Sequence, residues 1–166
     1  MVKAIFCDTR QQDGKHKNIE KGFEEMGIKP IRTKLYVGDY SLPLDQSRAV
    51  DTKKDLMEVA GNLCQQHKRF AEEADRATEL GIELIILVEE PNMEKLTDVK
   101  NWFNWRSKKN DKAVTGEKLY KIMKTFEKNH GCRFEFCSKG ETAKRIVEIL
   151  TAPKKAEEEG EEVGSN

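Results

Sequence analysis

Only four of the 166 residues are cysteine, Cys7, Cys64, Cys132 and Cys137, and no two are spaced as a CxxC pair. Neither a zinc ribbon nor a disulfide framework is built from such scattered positions, so the expected state is free thiols in a reducing cytoplasm. Long apolar runs are missing too, and nothing approaches the roughly 20 residues of a membrane span. The apolar start "MVKAIFC" is too short for a secretion signal and runs straight into "DTRQQDGKHK". There is no internal repeat. There is also no excess of either charge, with 30 basic and 30 acidic residues, so the totals point to no polyanionic partner.

The zero balance conceals an asymmetry. The last stretch, residues 153–166, reads "PKKAEEEGEEVGSN" and carries five Glu and two Lys with almost nothing to bury. Such a segment cannot offset its ordering entropy, and it is expected to stay disordered. Without it the body holds 28 basic and 25 acidic residues, a net of +3. That excess permits nucleic-acid binding without demanding it. Residues 1–152 are long enough for one domain with a substantial core.

Periodicity supplies the elements. "KAIFC", ending at Asp8, reads as a buried strand. "NIEKGFEEMGIK" sets Ile19, Phe23 and Met26 at helical spacing and stops at Gly27. Residues 31–42, "IRTKLYVGDYSL", read as extended with Gly38 at a bulge or turn. "AVDTK" is a further strand. Leu56, Val59 and Leu63 then suit a helix capped by Asp55. Another helix spans about 70–80 and halts at Gly81. "LIILVEE" is the most apolar strand, as expected in a sheet covered on both faces. After an irregular segment, "EKLYKIMKTFEKNHG" is helical, with Leu119, Ile122, Met123 and Phe126 on one stripe. "CRFEFC" alternates as a strand, and "ETAKRIVEIL" closes as a helix. The order predicts an α/β sandwich, a mixed sheet with helices on both faces.

Chemistry concentrates at strand ends. Residues i and i+2 of a strand share a face, so Asp51 and Lys53 project together. If the "GDY" segment pairs with "AVDTK", Asp39 sits close to Asp51. Two such carboxylates repel one another unless a cation lies between them. Hard oxygen ligands suit Mg²⁺, which is usually held by one or two carboxylates. A neighbouring ammonium can position an attacking water or stabilise charge on a phosphate. The competing reading is a solvated strand face with an ion pair. Asp8 can likewise be a metal-site acid, or simply accept hydrogen bonds in the following turn, and Arg10 can meet a phosphate or pair with a carboxylate.

An acid followed a dozen residues later by Asp-x-Lys is the loose PD-(D/E)xK pattern. With "DTRQ" at Asp8, "VGDY" at Gly38 and Asp39, "VDTK" at Asp51 to Lys53, and "LVEE" after a helix, the chain resembles the nuclease domain of XPF-type structure-specific endonucleases. The likeness is to the small stand-alone form of phages and bacteria, and it continues through "FEFC" towards Leu150. Thr52 stands where that family has arginine, and Met57 where it often has an acid. No helix-hairpin-helix segment follows.

The resemblance implies a restriction-endonuclease-like three-layer α/β/α fold and a DNA endonuclease of recombination or repair acting on branched or flapped DNA. It implies Mg²⁺, with Mn²⁺ as substitute, held by Asp39, Asp51, the Thr52 carbonyl and Asp8. Glu20, on the first helix, is a further acid of the kind this fold uses, or else a surface glutamate. Lys53 is implied to position water, with products ending in 5′-phosphate and 3′-hydroxyl. Arg69 is similar to an arginine the family places near its site, and a charged helix face is the alternative. A catalytically inactive copy that binds DNA and pairs with an active partner, or a plain interaction protein, are the rival readings. Pairing into a homodimer would restore the grip that the missing appendage provides.

Two segments stand apart. "NWFNWRSKKNDKAVTG" interleaves two tryptophans with Arg106, Lys108, Lys109 and Lys112. Trp105, Arg106, Lys108 and Lys109 can therefore stack on bases and neutralise phosphates, or else form a solvated loop beside one core tryptophan. His16, in "DGKHK", is expected to be exposed in a basic loop.

Overall fold

The first apolar run, Ala4–Asp8, forms β1 in a computed structural model that describes residues 1–11, 14 and 16–154. Most of the acidic tail, 155–166, lies outside the described residues. The polar loop leads into α1, Lys17–Glu25, and then to β2, Lys29–Thr33. Two further strands follow, β3 at Tyr40–Ser41 and β4 at Arg48–Lys53. Helices α2, Leu56–Cys64, and α3, His67–Glu79, precede β5, Glu83–Glu89. Two 3-10 turns, Leu96–Asn101 and Trp105–Lys108, carry the chain to α4, Gly116–His130. The fold closes with β6, Arg133–Cys137, and α5, Thr142–Thr151.

The six strands make one mixed sheet in the order β2-β1-β3-β4-β5-β6. β1 pairs in parallel with β2, and β4–β5–β6 are parallel to one another; β3 is antiparallel to both of its neighbours. β1 and β4 therefore run in the same direction, and the carboxyl ends of β1, β4, β5 and β6 share one edge.

The strand period of two splits the core. Along β5, Leu84, Ile86 and Val88 join Val59, Leu63, Phe70, Leu119 and Met123 beneath α2, α3 and α4. Ile85 and Leu87 face the opposite way and pack with Phe23, Tyr40, Val50 and Ile146 beneath α1 and α5. This is the expected α/β sandwich. Asp55 caps α2 as its position suggests, its Oδ1 accepting from Glu58 N at 2.8 Å. The four cysteines are free, three of them buried. No helix among the described residues is long and apolar enough to cross a membrane.

Two expectations fail locally. Met26 does not join the buried stripe of α1: it is the C-cap residue and 40% exposed, because the helix has already ended. The extended span 31–42 is not one strand. β2 runs parallel to β1 and β3 antiparallel to it, so the chain must reverse between them. It does so at 34–39, with Gly38 in the left-handed region at φ +72.

Candidate active site

Of several cavities, one of about 720 Å³ is lined by Val2, Met26, Ile28, Leu42 and other mostly apolar groups. It offers little to polarise or hydrolyse anything. Another, of about 520 Å³, opens at the carboxyl edge of β1 and β4 and is polar. Its walls include Asp8, Asp39, Asp51, Glu58, Glu72 and Glu73 against Arg10, Lys53, Arg69 and Arg76. Six carboxylates outnumber four cations there, so the cleft is acidic enough to favour an added cation.

Asp39 is placed by backbone contact on both sides. Its N–H donates to Val50 O at 2.8 Å, and its carbonyl accepts from Asp8 N at 2.8 Å. These bonds extend the pairing of β3 with its two neighbours, where Tyr40 stands opposite Val50 of β4 and Cys7 of β1. Gly38 makes the approach possible. A Cβ there would sit 3.0 Å from Ala49 Cβ and 3.1 Å from Val50 O. The Asp39 carboxylate is then fixed by Thr52, whose backbone N and Oγ1 both donate to Oδ2, at 2.9 and 3.0 Å.

Asp51 and Lys53 share one face of β4, on the side of α2 and α3. Lys53 Nζ lies 3.0 Å from Asp51 Oδ2. Apart from that ion pair the buried Oδ2 has no partner. Burial, then the Asp39 charge, pushes the Asp51 carboxyl up to about 7. Burial also raises Asp39, against the two Thr52 hydrogen bonds. For Lys53 burial acts downward, but Asp51, Glu58 and Asp39 outweigh it and hold the ammonium above its ordinary value.

These features test whether a divalent cation fits. Among the described residues no group of three or more His, Cys, Asp or Glu side chains is arranged to hold an ion. Two carboxylates are sufficient for Mg²⁺, which keeps several of its waters. A buried carboxylate oxygen with a single ammonium for partner, beside a second carboxylate raised by burial, is what a divalent cation would satisfy, so the donors fit.

Other residues singled out in the sequence divide into two groups. Asp8, 3% exposed, ends β1 at the cleft wall. Both its oxygens are engaged: Oδ1 accepts from Leu35 N at 2.9 Å and Oδ2 from Arg10 Nε at 2.7 Å. Arg10 also donates to Leu35 O, at 2.9 Å. Arg69 is exposed and lines the cleft. Glu20 does not line it; its Oε1 pairs with Arg32 at 3.3 Å. Trp105, Arg106, Lys108 and Lys109 lie in and just after the second 3-10 turn and do not line it either. His16 is a correction. It is 9% exposed, with Nδ1 3.0 Å from Tyr40 Oη, because α1 packs its first turn against β3.

Sequence reasoning missed two contributors. Glu73 reaches the cleft from α3 and accepts from Gly38 N at 2.8 Å, which holds the turn that presents Asp39. The other is the Thr52 hydroxyl, since the sequence pointed only to that residue's carbonyl and to the arginine it replaces.

A model of the ERCC4 domain matches residues 7–149 of the chain. Among solved structures the chain is similar to XPF from Aeropyrum pernix, at 23% identity and a TM-score of 0.62, and to the same protein in complex with DNA, at 22% identity and 0.62. The matches cover 89% of this chain but only 63% and 62% of those two. The chain thus spans less than two thirds of their length, and the likeness is one of fold, the restriction-endonuclease-like α/β architecture. No curated protein matches.

Proposed function

The chain belongs to the ERCC4-domain family, and from that premise we propose that it is a metal-dependent DNA endonuclease whose chemistry takes place in the acidic cleft. One observation carries the reading: the buried Asp51 Oδ2, beside Asp39, has no partner but Lys53 Nζ at 3.0 Å. Asp39 and Asp51, with the Thr52 carbonyl, would hold Mg²⁺ or Mn²⁺. When bound, such an ion supplies Lewis acidity toward a phosphodiester and lowers the pKa of water.

The chain's own residues do the rest. Thr52 and the Gly38 turn, braced by Glu73, hold Asp39 in one position. Lys53 directs an ammonium hydrogen at the attacking water and balances charge gathering on the phosphoryl oxygens. Asp8 keeps both oxygens on Leu35 and Arg10, so its part is to aim Arg10 across the cleft. Arg10 and Arg69 then meet backbone phosphates on either side of the scissile bond. Glu20, paired with Arg32 outside the cleft, is not assigned a ligand role. Hydrolysis leaves 5′-phosphate and 3′-hydroxyl ends, in branched or flapped DNA, as recombination or repair would require. Two paired copies would add the grip that one short domain lacks.

Incubating the protein with flap, fork, four-way-junction and linear duplex DNA in Mg²⁺, Mn²⁺ or EDTA tests this. Cutting that stops in EDTA is expected. Binding without cutting in either metal would favour an inactive copy instead, and neither would remove the nuclease reading.

A second test needs no DNA. A carboxyl whose folded pKa is raised binds its proton more tightly in the folded state than in the unfolded one. Stability from Asp51 is therefore fully present below its ordinary value of 3.8 and is lost as pH rises to about 7. In EDTA the midpoint of thermal unfolding should fall between pH 5 and pH 8, and less so in Asp51→Asn. Mg²⁺ should restore about 5 °C at pH 8 and little at pH 5. Equal responses in the two proteins would separate Asp51 from the cation.

A further inference from the structure

The segment between β5 and α4 has no place in the chemistry of the cleft, yet it is built with care. Its two exposed aromatic rings are Phe103, 62% exposed, and Trp105, 60% exposed. Each has a cation over its ring: Lys108 Nζ lies 5.8 Å from the Phe103 centroid and Arg106 Cζ 5.7 Å from that of Trp105. Lys109 and Lys112 follow, and between Asn101 and Lys112 the only acid is Asp111.

Exposed aromatics on a floppy loop would mean little, but this frame is tied down. Asn104, between the two rings, is 5% exposed. Its Nδ2 donates to Val114 O at 2.9 Å, and its Oδ1 accepts from Arg106 N at 3.0 Å. Trp102, just before the rings, packs into the core beneath α4. The Asn104 amide is turned inward while the rings on either side of it, Phe103 and Trp105, face solvent.

We propose that Phe103 and Trp105 form a stacking platform for an unpaired DNA strand, one base per ring, with Arg106, Lys108, Lys109 and Lys112 taking its phosphates. The occupant must offer flat π-faces and a negative charge at each unit, because each ring is coupled to a cation. An apolar protein surface would strip water from four cations and return no charge. A base-paired duplex hides its base faces. The segment starts from the carboxyl end of β5, where Val88 is in register with Lys53 of β4, the edge of the sheet on which the cleft lies. The inference deepens the nuclease reading by naming unpaired DNA as the part of a branched substrate that this chain grips.

The test uses the full chain in EDTA, so that cutting plays no part. Fluorescein-labelled oligothymidine and a blunt duplex of equal length are titrated by fluorescence anisotropy, with and without unlabelled competitor. Phe103→Ala combined with Trp105→Ala should weaken oligothymidine binding at least about 10-fold and duplex binding less than 2-fold. Trp105→Phe should recover most of the loss. Stacking should also quench the tryptophan fluorescence of the unsubstituted protein. Equal losses for the two DNAs, or no loss for oligothymidine, overturn the platform. A changed sedimentation coefficient in the double variant with oligothymidine binding intact would mean that the patch joins copies of the chain, which also overturns it. Binding in EDTA does not depend on cleavage, so a protein that binds and never cuts leaves this inference standing while the nuclease reading falls.

Discussion

Replacing Lys53 by methionine should yield a folded protein that still binds DNA and cuts it about a thousandfold more slowly. Methionine keeps most of the side-chain stem and its packing near Phe70, whose ring centroid lies 5.1 Å from Nζ, and deletes the charge. The size of the effect follows from burial. The Lys53 side chain is only 12% exposed, and a charge in so sheltered a place acts on a developing anion with little screening by water. Asp39 and Asp51 lose their balancing cation in this variant, so its unfolding midpoint should drop in EDTA and recover in Mg²⁺. Circular dichroism in Mg²⁺ therefore separates loss of chemistry from loss of fold. Cleavage within tenfold of the parent would take Lys53 out of the mechanism.

The largest structural loss is expected at a residue that does not line the cleft. Gly116 opens α4, and a Cβ at that position would come 2.5 Å from Trp102 O, 2.6 Å from Val99 O and 3.0 Å from Lys100 O. All three obstacles are backbone oxygens on the 3-10 turn and its cap, so no flexible side chain can swing aside. Gly116→Ala should cost about 3 kcal/mol, near the upper end of ordinary overpacking. For a chain of this length that is a fall of roughly 6–12 °C in the unfolding midpoint. The gain in helix propensity from alanine, about 1 kcal/mol, has the opposite sign and is too small to compensate. Urea unfolding measures the outcome directly. A variant as stable as the parent would mean that the turn and α4 can separate at no cost.

Much of the site could be read from spacing because it depends on local rules. The side chains of Asp51 and Lys53 share a face because every strand alternates, and Gly38 before Asp39 marks a backbone reversal in any fold. What escaped was set by distant partners. Glu73 stands 35 residues beyond Gly38, and nothing in "HKRFAEEADRA" distinguishes it from its neighbour Glu72 except the packing of α3. His16 was read from its charged neighbours as exposed, but Tyr40, 24 residues on, provides a buried partner. Glu20 shows the reverse failure: a helical acid near the right strand, drawn off by Arg32 on β2. Six strands were harder to count than the chemistry was to locate, because β3 has only two residues and a propensity argument needs more.

That brevity has a consequence. Among the described residues β3 alone joins the β1–β2 half of the sheet to the β4–β6 half, and the cleft takes Asp8 from one side, Asp51 and Lys53 from the other, and Asp39 from the turn that leads into β3. A partly folded chain, or one whose halves have momentarily come apart, cannot bring these groups together. On the proposed reading the site is inactive until the whole sheet has closed, and amide protons at positions 39–41 should report each opening that disarms it.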